Sequence, residues 1–220
     1  LDLDQAQWIV TAYVIAGAMV VPAIGWLGNW LGNRTFYVLA LALFVTNSAL
    51  CALAWSGPSL IAFRILQGLG GGPIAPMTMM FLSSVFPLEQ RGLAMGLLGM
   101  GQTAGPILGT VIGGYLTEYL GWRMVCFMNV APGVLSIALV LLVLPNVRDE
   151  VQRALDLAGL FTMGVFLVSL LVALSRGQRE GWDAPFIQRL FVVAGVALVS
   201  FIACELLVKE PLVDLRGSVH

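Results

Sequence analysis

Apolar residues gather along this chain in long runs, separated by short polar stretches. Seven runs, Trp8–Leu27, Phe36–Trp55, Leu60–Phe86, Gly92–Leu116, Met124–Leu144, Leu157–Leu174 and Leu190–Val208, reach or approach the length of about 20 residues that a membrane-crossing helix needs. The links are Gly28–Thr35, Ser56–Ser59, Pro87–Arg91, Thr117–Arg123, Pro145–Asp156 and Ser175–Arg189, with a tail from Lys209, and charges are confined almost entirely to these stretches. Most links are short, which predicts consecutive helices as antiparallel neighbours. Two longer links flank the sixth run. They set the last two helices (147–220, with a polar tail) apart from a five-helix group (1–146). The predicted fold class is all-α, a polytopic membrane helix bundle.

Composition agrees. The chain has 220 residues, 59% hydrophobic and only 10% charged, against about 25% charged in soluble domains. Mean hydropathy is +0.94. A net charge of -1 offers no basic surface for nucleic acid. Cys51, Cys126 and Cys204 lie far apart in apolar runs and read as small core residues. The single histidine is His220, so metal ligation and histidine catalysis have no material, and no cofactor is implied. The chain opens without an initiator methionine or a basic leader, and it is expected to be trimmed at its start.

Within the fourth run, Gly101, Gly105, Gly109 and Gly113 recur every fourth residue. On a helix this spacing makes one stripe without side chains, drifting by about 40° per step, which lets another backbone approach closely in lipid. Pro106 removes an N–H from the same helix and predicts a kink, with the carbonyl of Gln102 left over.

The segment from Gly25 to Arg34 aligns without gaps on the segment from Gly114 to Arg123. Both glycines, both leucines and the arginine are identical, and Trp26 and Trp30 meet Tyr115 and Tyr119. Three spans separate the copies, so they sit on opposite membrane faces, as in an inverted repeat of three helices. Arg64, with Gln67 at i+3, lies about one and a half turns inside the third span and is followed by small residues leading to Pro73 and Pro76. An intramembrane arginine costs roughly 2.5–3.5 kcal/mol at a helix centre, and near an end it can instead snorkel to the interface. The polar-then-thin face favours a cavity wall. Orientation by charge is weak: six basic residues (Arg34, Arg91, Arg148, Arg153, Lys209, Arg216) fall on one side and four (Arg123, Arg176, Arg179, Arg189) on the other.

These motifs resemble the major facilitator superfamily, most closely its fourteen-helix drug:proton antiporter branch of the EmrB/QacA type. The loop signature resembles Gly25-x-Leu27-x-Asn29-x-x-Gly32-x-Arg34, and the arginine signature resembles Arg64-x-x-Gln67-Gly68. The antiporter signature resembles Gly101-x-x-x-Gly105-Pro106-x-x-Gly109. The resemblance implies that these spans are family helices two through eight: an N-terminal bundle without its first helix, then two linker helices. It also implies a cytoplasmic Gly28–Thr35 link that acts in gating. Arg64, Gln67 and Gly68 are implied in proton coupling and the cavity, and the 101–113 glycines in a sliding face. The chain departs from the family at Asn29, where an acidic residue is usual, at the lone Arg34, and at Thr110, which replaces a glycine. The family's acidic residue on the first helix lies outside this chain.

The resulting expectation is a secondary transporter, not an enzyme, exporting drugs or other small amphipathic compounds against protons by alternating access. It would sit in the bacterial cytoplasmic (inner) membrane, with the lipid bilayer, substrate and protons as partners. In the Gram-negative case a periplasmic membrane-fusion protein would join it. The alternatives are an uncoupled facilitator or exporter of a single metabolite, and a non-transporting seven-span receptor or scaffold.

Overall fold

The structure, a computed structural model, describes residues 3–144 and 157–207, and every regular element among them is helical. In order these are α1 (Leu3–Val20), a 3-10 turn (Val21–Ala23), α2 (Ile24–Leu31), α3 (Asn33–Ala52), α4 (Gly57–Gly71) and α5 (Ile74–Val85). There follow α6 (Leu88–Tyr119), α7 (Trp122–Met128), α8 (Val130–Val143), α9 (Leu157–Glu180) and α10 (Pro185–Leu207). By length and composition they make seven membrane-crossing rods. The boundary expected at 146–147 and the tail from Lys209 lie outside the described residues.

Prolines explain most breaks within rods. Pro22 falls in the 3-10 turn joining α1 to α2. Pro73 separates α4 from α5 while keeping helical angles (φ -70, ψ -19), so the third rod continues with one missing N–H rather than a loop. Pro132 stands in the first turn of α8, whose cap residue Asn129 likewise keeps helical angles (φ -77, ψ -14). At Pro106, in contrast, α6 runs on as one 32-residue helix.

The links are shorter than the charge pattern predicts. Gly28–Thr35 shrinks to Gly32 alone, because α2 runs to Leu31 and α3 starts at Asn33. Thr117–Arg123 shrinks to Leu120 and Gly121, and the sixth rod reaches Glu180. The polar residues ride on helix ends, where long side chains extend into the interface. Gly32 (φ 86, ψ 135) and Gly121 (φ 86, ψ 157) make the turns, in a region that favours glycine. They are equivalent positions of the internal repeat. So are the ring pairs Trp26–Trp30, with centroids 5.5 Å apart, and Tyr115–Tyr119, at 4.6 Å.

Packing centres on α4, which lies between α1 and α3. A Cβ on Gly68 would stand 2.3 Å from the Tyr13 carbonyl oxygen, and one on Gly72 would stand 2.2 Å from that of Gly17. On the other flank, a Cβ on Gly70 would meet the Ala40 oxygen and Phe44 nitrogen at 2.6 Å. The small residues after Gln67, expected to thin a cavity wall, thus form two backbone-to-backbone joints. The first rod pairs chiefly with the third rather than with the second, so sequence order does not set every neighbour. α3 also packs on α7 and α8, and α9 packs on α10 and α1. α6 meets its sequence neighbours α5 and α7, and among its residues only Ala94 is buried.

Replacing Gly72 by Ala in the full-length protein is expected to cost about 1–3 kcal/mol through overpacking, read as a lower melting temperature in detergent. Gly195, whose Cβ position is open, is the control: Gly195→Ala leaves melting unchanged. Equal melting of both variants would contradict the joint.

Candidate functional site

The joint fixes where the third rod's polar face points. Ser56 caps α4 through a capping box with Ser59, its hydroxyl accepting from the Ser59 N–H. Seven residues beyond Gly57, Arg64 stands about 10 Å along the axis. Its Nη1 donates to Gln67 Oε1 at 3.2 Å, and Gln67 Nε2 donates to Ser48 Oγ at 2.5 Å. Cys51 Sγ lies 3.9 Å from the same Gln67 oxygen. Gln67 is 2% exposed and Ser48 is fully buried, so the inner part of the relay is closed to lipid and water, while Arg64 is half-buried.

Arg64 Nε is enclosed and has no hydrogen-bond partner. The guanidinium therefore turns into the bundle and does not merely reach along the interface. It stands within electrostatic reach of Tyr13, Cys51 and Cys126. No carboxylate pairs with it among the described residues. A second unpartnered atom, Asn47 Oδ1, is buried on α3 one residue before Ser48. The network thus holds a fixed positive charge with an unused donor, and such buried atoms are costly unless something meets them.

The sequence reading missed Ser48, Asn47 and Tyr13. Thr46, Asn47 and Ser48 are a polar trio inside an otherwise apolar run, and this intramembrane polarity is the signal that points to them. Gly68 belongs to the joint with α1, directly beside the relay.

The loop residues are placed differently. Gly32 is buried at the tight turn, and Gly25 is exposed with open space around it. Asn29 is half-buried on α2. Arg34 Nη2 donates to the Leu141 carbonyl in the last turn of α8. Arg123, its repeat equivalent, donates from Nη2 to the Ala54 carbonyl just past α3, at 3.1 Å. Each arginine at the start of one rod thus holds the end of the other, where the helix dipole favours a cation.

The glycine stripe of α6 has no partner here. A Cβ on Gly101, Gly105 or Gly109 would meet nothing within 4 Å, and one on Gly113 would meet only Val125, at 3.8 Å. The close approach expected along it is absent among the described residues. Thr103 and Thr110 turn their hydroxyls back onto the carbonyls of Gly99 and Pro106, at 3.0 and 2.8 Å, so this face offers little but glycine and apolar atoms.

Residues 1–209 match the Major Facilitator Superfamily, and the chain belongs to that family, whose members are transporters and not enzymes. It is an integral membrane protein. The chain is 36% identical over 214 residues to the multidrug transporter protein MdtP of Bacillus subtilis, covering 97% of this chain and 40% of that protein. It is 33% identical over 219 residues to the multidrug export protein EmrB of Escherichia coli K12, covering 97% and 42%. The Haemophilus influenzae EmrB is 31% identical over 217 residues, with the same coverage. The chain therefore spans about two fifths of the length of these curated relatives.

Ser48→Ala should break the relay and destabilise the full-length protein by about 1 kcal/mol, whereas Thr46→Val, at an exposed position, should be neutral in the same melting assay. Equal effects would mean that the relay adds no stability.

Proposed function

We propose that this chain is part of a proton-driven exporter of drugs or other small amphipathic compounds, working by alternating access in the bacterial cytoplasmic (inner) membrane. Residues 1–146 would be five helices of its N-terminal bundle, and 147–220 the linker pair with its tail. Family membership and the multidrug relatives support the substrate class. The observation that carries the coupling role is Arg64: a charge held inside a span, bonded to Gln67, with its Nε enclosed and unused.

Arginine stays protonated at any working pH, so it cannot itself carry the proton. It can hold a carboxylate in its ionised form and lose that contact when the carboxylate protonates. Such an acid would lie elsewhere in the transporter, as the family resemblance implies for the first helix. Proton binding would then release an attraction at one fixed point, and the bundles would rock about it. The uncovered face around Gly105 and Pro106 would be the sliding surface toward the rest of the protein. The loop of Gly25, Asn29, Gly32 and Arg34 would gate the cytoplasmic side. In a Gram-negative cell a periplasmic membrane-fusion protein would complete the export route.

Arg64→Ala in the full-length protein is expected to abolish efflux driven by a pH gradient in proteoliposomes, with amounts in the membrane unchanged. Normal gradient-driven efflux in this variant would rule out the coupling role of Arg64. Gly105→Leu should fill the stripe and stop transport, and unimpaired transport would mean that the stripe has no part in the cycle.

A further inference from the structure

The end of the bundle that carries the Ala52–Gly57 and Leu120–Trp122 turns holds a cavity of about 420 Å³. Trp55, Ser56, Leu60, Trp122 and Arg123 line it. It belongs neither to the relay nor to the glycine face of α6. Trp55 is 79% exposed and Trp122 40% exposed, both at rod ends, where tryptophan settles at the level of lipid headgroups. Trp55 is steadied by Phe63, edge-on at 5.9 Å.

Arg123 is the chemical centre of the cavity. Its guanidinium carbon lies 4.8 Å from the Trp122 ring centroid, and Nη2 donates to the Ala54 carbonyl at 3.1 Å. Ring and carbonyl hold the group in place and use one of its five N–H donors. Among the described residues no carboxylate lies within 4.0 Å of it. The contrast is Arg176, which stacks over Trp8 at 5.1 Å in the same fashion but is neutralised by Glu180 at 3.0 Å. Both sites have the aromatic cation pair; only the one at Arg123 keeps its charge for an outside anion.

We propose that this cavity binds the phosphate group of an anionic membrane phospholipid. The remaining N–H groups of Arg123 would bond the phosphate oxygens, a pairing for which the planar guanidinium is suited. Trp55 and Trp122 would flank the glycerol region. A soluble phosphate shares the anion chemistry but gains nothing from two exposed indoles, and this favours the lipid. Because Arg123 also holds the end of α3, lipid binding would steady the corner where the two repeat units meet.

The test uses full-length protein in phosphatidylcholine nanodiscs containing a minor share of phosphatidylglycerol, with retained lipids counted by native mass spectrometry. Wild type is expected to retain phosphatidylglycerol over phosphatidylcholine. Arg123→Gln should lower that retention about tenfold, as for loss of a charge-assisted hydrogen bond, and Arg123→Lys should restore part of it. Because Arg123→Gln also removes the Ala54 contact, Trp55→Ala is the second arm; it leaves that contact in place and should weaken retention about threefold. No preference for phosphatidylglycerol in wild type overturns the proposal, as does wild-type retention in either Arg123→Gln or Trp55→Ala. Displacement of bound phosphatidylglycerol by millimolar inorganic phosphate overturns the lipid assignment in favour of a free anion.

Discussion

Backbone meets backbone where α4 crosses α1, at Gly68 against Tyr13 and at Gly72 against Gly17, and the rest of the bundle takes its position from that contact. In lipid, apolar surface gives helices no reason to associate, so they are held by dispersion at short range and by internal hydrogen bonds. A methyl group at either glycine would enter an occupied backbone. The opposite flank of α4 is fixed on α3 in the same way through Gly70. With both flanks fixed, Gln67 has one place to go, and it meets Ser48 there. Arg64, one turn earlier, follows it inward.

The two ends of the bundle are tied by a different device. Gly32 and Gly121 reverse the chain at equivalent positions of the repeat, and the arginine two residues later reaches across to a carbonyl at the far rod's end. These contacts fix α3 against α7 and α8 while leaving α6 outside the packed group. The chain therefore has two glycine faces of opposite character. That of α4 is closed within the fold. That of α6 is bare among the described residues, in a chain spanning about two fifths of its relatives' length.

The seven rods were legible because hydropathy and length report solvation directly, and the Arg64–Gln67 contact because i and i+3 share a helix face. The repeat led to equivalent glycine turns because positive φ leaves little choice of residue. Which glycine stripe would be closed was not legible. Spacing says that a backbone could approach; it does not say which one does, and here the short cluster after Gln67 is filled while the longer, more regular one is not. Ser48 and Asn47 are not legible for a related reason, since small polar residues in an apolar run gain meaning only when a partner helix faces them. The links are narrower than the charges suggest because charge marks the interface and not the end of helical hydrogen bonding.

On the proposed function the glycine face of α4 stays locked while that of α6 meets a moving surface, and thiol accessibility distinguishes the two. Gly109→Cys is introduced in the full-length protein on a cysteine-free background. Its reaction with a water-soluble maleimide is followed in vesicles under opposite proton gradients, beside labelling by a lipid-phase probe. The account predicts that the thiol is reachable from water under one gradient and shielded under the other. Constant labelling from the lipid phase, with no aqueous reaction under either gradient, would contradict it.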